Sequence, residues 1–234
     1  MKHKKEFNMD GENEDLFFLS NGHISPVFYS VLARSGYFPV KELNTFRLIN
    51  SRLQGHPATK EGLPGVRIAS GSLGQALSVA IGAAISKKIN EDERLIYCLC
   101  GDGELQEGQI WEAIMYAGAK EIDNLILTVD VNKQQICGST DKILNLGNLN
   151  QKISAFNWRV IEINNGNDMQ NVIEGIEKAK VKTKEKKPIC ILMHTEMGYG
   201  VDFMMGSHKW HGIAPNDIQL KNALSQLKKT MEDY

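Results

Sequence analysis

Two short stretches of this 234-residue sequence carry residue types that could hold a phosphate and a divalent cation. The first is Gly101-Asp102-Gly103, directly after the apolar run 95–100 (LIYCLC). Glycines on both sides of an aspartate at a strand end let backbone amides approach a phosphate closely. The carboxylate between them can ligate a hard divalent cation. The second stretch is Asp130-Val131-Asn132, which closes the apolar run 125–131 (LILTVDV). If the two runs are neighbouring parallel strands, Asp102 and Asn132 meet. One carboxylate, one amide oxygen, a backbone carbonyl just beyond Asn132 and phosphate oxygens would then complete an octahedral magnesium shell. Alone, Gly-Asp-Gly reads more simply as a structural turn; its spacing from Asn132, one helix and one strand, favours the cation site.

Histidines supply the second kind of chemistry. His23, His56 and His211 each adjoin a glycine in a loop, where packing of a helix or strand does not demand an imidazole. Such rings can move protons or hydrogen-bond a developing negative charge. His3, His194 and His208 read as structural, His194 because it ends an apolar strand. Glu107 stands at the start of a helical stretch, where a carboxylate is favoured by the helix field whether or not it has a further role.

These residues need a frame, and the chain alternates in a way that provides one. Continuous apolar runs at 95–100, 125–131, 158–163 and 188–194 have the length and composition of strands buried on both faces. Helical spacing is expected over 27–38, 40–53, 73–89, 107–122, 169–183 and 216–229, with a long irregular stretch at 54–66. Strand and helix in alternation predict an α/β fold, a parallel sheet with helices on both faces. Ligands on such sheets bind at the carboxyl ends of the strands. Residues 1–15 are charged and polar and are expected to form a flexible N-terminal arm; residues 16–234 are expected to form a single α/β domain.

Composition narrows the field further. Lys plus Arg number 27 against 28 for Asp plus Glu, a formal charge of −1, so no general attraction to nucleic acid or to a membrane surface is expected. No apolar run approaches the length of a membrane span, and the start of the sequence has no signal-peptide pattern. Cys98, Cys100 and Cys190 lie in apolar runs and, with Cys137, read as reduced thiols rather than disulfides. A cytoplasmic protein is the expectation.

GDGELQEGQIWEA followed by VDVNKQQICG resembles the thiamine-diphosphate signature, and the chain as a whole resembles the N-terminal, diphosphate-binding subunit of the two-subunit transketolases. Further matches run in order: LSNGH (19–23), LQGHP (53–57), SGSLGQALSVAIG (70–82), HTEMGYG (194–200) and WHGIAP (210–215). The resemblance implies a thiamine-diphosphate-binding (PP-type) fold with thiamine diphosphate and Mg2+ (or Ca2+) as cofactors. It implies that Asp102, the Asn132 side chain and the Gln134 carbonyl ligate the metal. Gly101, Gly103, Gly71, Leu73, Ile136 and His211 would lie against the cofactor. His23, His56 and His211 would surround the diphosphate and the substrate oxygens, and Glu107 would sit at a subunit interface in an acidic network. Activity would be transfer of a two-carbon ketol unit from a ketose (phosphate) to an aldehyde. A C-terminal subunit carrying the pyrimidine-binding domain would complete the site in an α2β2 heterotetramer, this chain being inactive alone. A 2-oxo-acid or acyloin-type reaction and a non-catalytic scaffold subunit are the alternative readings. Such a family usually carries about fifty further residues ahead of LSNGH, so a shortened enzyme with altered substrate choice is expected. Lys133, Cys137 and Ala76 stand where the family pattern commonly has other residues.

Overall fold

The computed structural model describes residues 1–4 and 6–228. In chain order its strands are β1 (Leu16–Leu19), β2 (Ile96–Gly101), β3 (Leu125–Val131), the short hairpin strands β4 (Gln134–Gln135) and β5 (Gly138–Ser139), β6 (Arg159–Ile163) and β7 (Ile189–His194). Five of them form one parallel sheet in the order β1-β2-β3-β7-β6, and β4 pairs with β5 in a separate antiparallel ribbon. The helices are α1 (Ser25–Arg34), α2 (Ala76–Ile89), α3 (Gly108–Ala119), α4 (Thr140–Leu144), α5 (Leu149–Ala155), α6 (Met169–Val181) and α7 (Asp217–Gln226).

Alternation along each strand sends neighbouring residues to opposite faces, so a strand apolar at every position must be covered twice. That is what β2 and β3 encounter. Ile96, Cys98, Cys100, Leu125, Leu127 and Val129 bury against α2, α3 and α5. Tyr97, Ile126, Ile189 and Ile191 bury on the other face with Ala179 of α6. Helix α1 covers that second face nearer β1, through Phe28, Tyr29 and Leu32. The α3 side is especially close: a Cβ at Gly118 would stand 1.8 Å from the Phe156 carbonyl oxygen. The Trp158 indole donates to the Ile114 carbonyl at 2.8 Å across the same contact.

Register is what aligns the functional ends. Gly101 pairs with Asp130, and Val131 pairs with His194. The carboxyl ends of β2, β3 and β7 therefore finish side by side, and the loops beyond them share one end of the sheet. Among the described residues, no helix is long and apolar enough to cross a membrane.

Several sequence expectations shift. The described residues among 1–15 do not hang free: Glu14 and Asp15 are buried. The Lys2 amide donates to Asp15 at 2.7 Å, and Glu14 pairs with Arg67 at 2.7 Å. Strand β1 is absent from the sequence reading, because LFFL is only four residues long beside a polar segment. The helix expected over 40–53 is a single 3₁₀ stretch, Val40–Thr45. Arg47 and Asn50 take left-handed backbone (φ 61° and 64°), which no helix can contain. The helix expected from residue 73 starts at Ala76, because Gly74 is left-handed at φ 87°. The last helix ends at Gln226, and residue 229, its expected end, lies outside the described residues. Helices α4 and α5 and the β4–β5 hairpin have no counterpart in the sequence reading.

Candidate active site

Asp102 sits one residue beyond β2 with 2% of its surface exposed. Its Oδ1 accepts from the Gly103 amide at 2.8 Å, and its Oδ2 accepts from the Lys133 amide at 2.7 Å. The end of β2 is thus joined to the turn after β3, through the Lys133 amide rather than through the Asn132 side chain. Burial pushes the Asp102 carboxyl up to about 6 and the Asp130 charge adds to the rise, while the amides of Lys133 and Gly103 oppose it. Asn132 lies in that turn. Its amide donates to Asp130 Oδ2 at 2.9 Å, and its carbonyl oxygen accepts from the Gln134 amide at 2.9 Å. Asp130 is further held by the Thr195 hydroxyl from the end of β7. Gln134 begins the β4–β5 hairpin, which arches over the 3₁₀ turn His208–His211; Ile136 at its tip faces Gly212.

The three glycine-flanked histidines converge. The rings of His23 and His211 have centroids 5.1 Å apart. His56 lies flat against Gly71, where an added Cβ would stand 2.5 Å from the imidazole Cδ2; Gly71 also has φ 115°, so both space and conformation require glycine. Partial burial first, then the neighbouring His211 and His56, holds the His23 pKa below 6.5. Partial burial likewise lowers that of His211, against the opposing pull of Asp130. Neutral rings of this kind can both accept and donate a proton near neutral pH. Glu107 and Leu73 lie apart from this cluster. Glu107 is exposed at the N-cap of α3 with its Cβ against Gly74, and Leu73 is partly exposed in the same loop.

Three buried polar atoms near these residues have no hydrogen-bond partner: Asn21 Oδ1, Ser70 Oγ and Gln135 Oε1. Each side chain adjoins a loop or strand-end glycine. The Asn21 amide nitrogen is 3.9 Å from a Cβ built on Gly101, Ser70 Oγ is 2.6 Å from one on Gly22, and Gln135 Oε1 is 3.3 Å from one on Gly103. Buried polar atoms are rarely left unpaired, and these three are available to an external partner; Tyr97, Asn124 and Arg159 also carry such atoms elsewhere in the fold. Sequence reasoning missed these three, together with Asp130, Thr195 and Glu104. Asp130 had a usable signal, a carboxylate within an apolar strand; Asn21, Ser70, Gln135, Thr195 and Glu104 had none.

A family model described as the thiamine diphosphate binding domain of transketolase matches residues 2–231. The chain belongs to the transketolase family. It is 39% identical over 214 residues to one of the subunits of the apulose-4-phosphate transketolase of Actinobacillus succinogenes, covering 92% of this chain and 76% of that one. It is 37% identical over 215 residues to a 6-deoxy-6-sulfo-D-fructose transketolase subunit of a Clostridium strain, covering 92% and 77%. Its fold matches the crystal structure of Campylobacter jejuni transketolase with a TM-score of 0.86 at 34% identity, over 97% of this chain. It spans 36% of that longer enzyme, about a third. For a transketolase thiamine-diphosphate-binding domain the donor set fits: a glycine-lined approach at Gly103, unpaired polar atoms around it, and Asp102 held ready by two backbone amides.

Proposed function

We propose that this chain is the diphosphate-binding subunit of a heteromeric transketolase, transferring a two-carbon ketol unit from a ketose phosphate to an aldehyde. The observation that carries the reading is the convergence of Asp102, Asn132 and three histidines on one end of the sheet. When bound, thiamine diphosphate supplies the carbanion chemistry at its thiazolium ring. This chain's residues do the rest of the work on its side of the site. Asp102, the Asn132 amide oxygen and the Gln134 carbonyl would hold Mg2+, with diphosphate oxygens filling the remaining positions. Among the described residues no cluster of three His, Cys, Asp or Glu side chains could hold a metal alone. Gly101 and Gly103 allow the backbone to approach the diphosphate, while Ile136, Gly71 and Leu73 would border the organic part. His23, His56 and His211 would orient substrate oxygens and hold protons as the C–C bond breaks.

The partner would be a C-terminal subunit carrying the pyrimidine-binding domain, in an α2β2 assembly; the subunit names of the relatives support a partner of this kind. Reduced thiols at all four cysteines suit a cytoplasmic setting. The test is co-purification with the partner chain, titration with thiamine diphosphate and Mg2+, and assay with ketose phosphates against pyruvate. Cofactor binding and ketose-phosphate turnover are expected. A complex that binds cofactor but turns over pyruvate alone would end the transketolase reading. One that binds no cofactor would end the enzymatic one.

A further inference from the structure

Glu104 is a carboxylate with 3% of its surface exposed, and the proposed function does not use it. Its Oε1 accepts from the Ser20 hydroxyl and, at 2.7 Å, from the Gly74 amide; its Oε2 accepts from the Gly101 amide at 3.2 Å. The three donors come from three separate loops. Ser20 follows β1 and leads into Asn21 and His23. Gly74 closes the loop that carries Gly71 and Leu73. Gly101 opens the turn that carries Asp102 and Gly103.

Ordinary packing does not demand a charge at this place. Burial raises the cost of the ionised form, and the groups that favour it are neutral donors rather than a cation. A carboxylate accepts with two oxygens in divergent directions, and hydrogen bonds to a charged acceptor are stronger than neutral ones. One side chain can therefore fix three loop ends relative to one another. The Gly74 donor is specific to that loop's shape: its backbone is left-handed, and a Cβ there would stand 3.1 Å from the Glu107 Cβ.

We propose that Glu104 is a positioning residue that clamps the three cofactor-contacting loops into one cradle. The inference rests on the functional reading of the chain as a cofactor-binding subunit. A glutamine has a single acceptor oxygen, so it must present an amide N–H to at least one of the three donors and open one side of the clamp.

The experiment compares parent, Glu104→Gln and Ser20→Ala as complexes with the partner subunit. For each, calorimetry gives the Kd for thiamine diphosphate at fixed Mg2+, and a cofactor-free melt gives the Tm. Glu104→Gln should weaken cofactor binding by roughly tenfold and raise the cofactor KM more than it lowers kcat, with the cofactor-free Tm close to the parent's. Ser20→Ala leaves the carboxylate and both amides in place and should cost roughly threefold. A lowered Tm with unchanged Kd would make Glu104 a fold-stabilising residue and overturn the proposal. If Glu104→Gln cannot be purified, Ser20→Ala decides: an unchanged Kd overturns the clamp. A parent complex that binds no cofactor fails the functional reading itself, a result distinct from a parent that binds and variants that bind equally well.

Discussion

Charge is buried at two places in this molecule, and the two are built differently. Around the N-terminal segment two carboxylates face cations: buried Glu14 faces Arg67 at 2.7 Å, and half-buried Asp92 faces Lys87 at 2.5 Å. Buried Asp15 instead accepts from the backbone amides of Lys2 at 2.7 Å and Leu95 at 3.0 Å. The Lys87 ammonium also donates to the Gly11 carbonyl at 2.6 Å, and Arg67 stacks over the Phe7 ring. Burial pushes Asp92 up, but the Lys87 bond and the amides of Arg94 and Asn13 outweigh it and hold the carboxyl below its usual range. At the carboxyl ends of β2 and β3, Asp102 and Glu104 are buried as deeply, yet their hydrogen-bond donors are amides and a hydroxyl. Both carboxyls are raised there. A buried ion pair is internally complete, and breaking it costs stability. Asp102, satisfied by two backbone amides, has no cation of its own beside it. The ion pairs serve the fold; under the proposed reading, Asp102 is left for a cation that arrives with the cofactor.

Removing each carboxylate's support should therefore affect different measurements. Asp102→Ala should abolish binding of thiamine diphosphate with Mg2+, a loss on the order of a thousandfold or more, since it deletes a ligand and not merely its support. Its cofactor-free melt should not fall, because an unneutralised buried charge goes with it; unchanged affinity in a titration would refute the site. Arg67→Ala should do the opposite. It strands Glu14 and should cost about 3 kcal/mol in a denaturant titration, while leaving cofactor affinity in the folded complex unchanged. Equal losses of affinity for both variants would erase the distinction between the two regions.

A smaller effect concerns the histidines. His23 and His211 should titrate below 6.5 by NMR, and His56→Ala should raise the His23 midpoint by removing a neighbouring charge. Their folded pKa values lie below the ordinary one, so their contribution to stability is present above 6.5 and is lost as pH falls through the folded midpoints. A His23 midpoint that does not move in His56→Ala would show that the rings do not sense one another.

Much of the frame was legible in the sequence. Runs such as LILTVDV and PICILMH read as strands covered on both faces; β3, β6 and β7 fall within or on the expected runs, and β2 is displaced by one residue, to Ile96–Gly101. Asp102 and Asn132 were legible for the same reason, since a strand end fixes the place of the residues just beyond it. Strand β1 was not, because four residues do not establish a period. The helix expected over 40–53 failed because apolar spacing records nothing about Arg47 and Asn50 turning left-handed. Glu104 was invisible as a clamp, because its three donors are backbone and hydroxyl groups brought together only by the folded loops.

Lys133 sits beside Asp102 with φ 61°, a backbone conformation that most side chains resist. What it delivers to Asp102 is its main-chain N–H, and its side chain is exposed. Recognition at this point is thus written in the backbone and is indifferent to the letter above it, apart from the residue's tolerance for a left-handed turn. A saturation library at position 133, sorted for cofactor binding, should accept glycine and asparagine readily and reject valine, isoleucine and proline. Charge should matter little. The surface beside Asp102 could therefore be repainted, from basic to neutral or acidic, without disturbing the bond that holds its carboxylate.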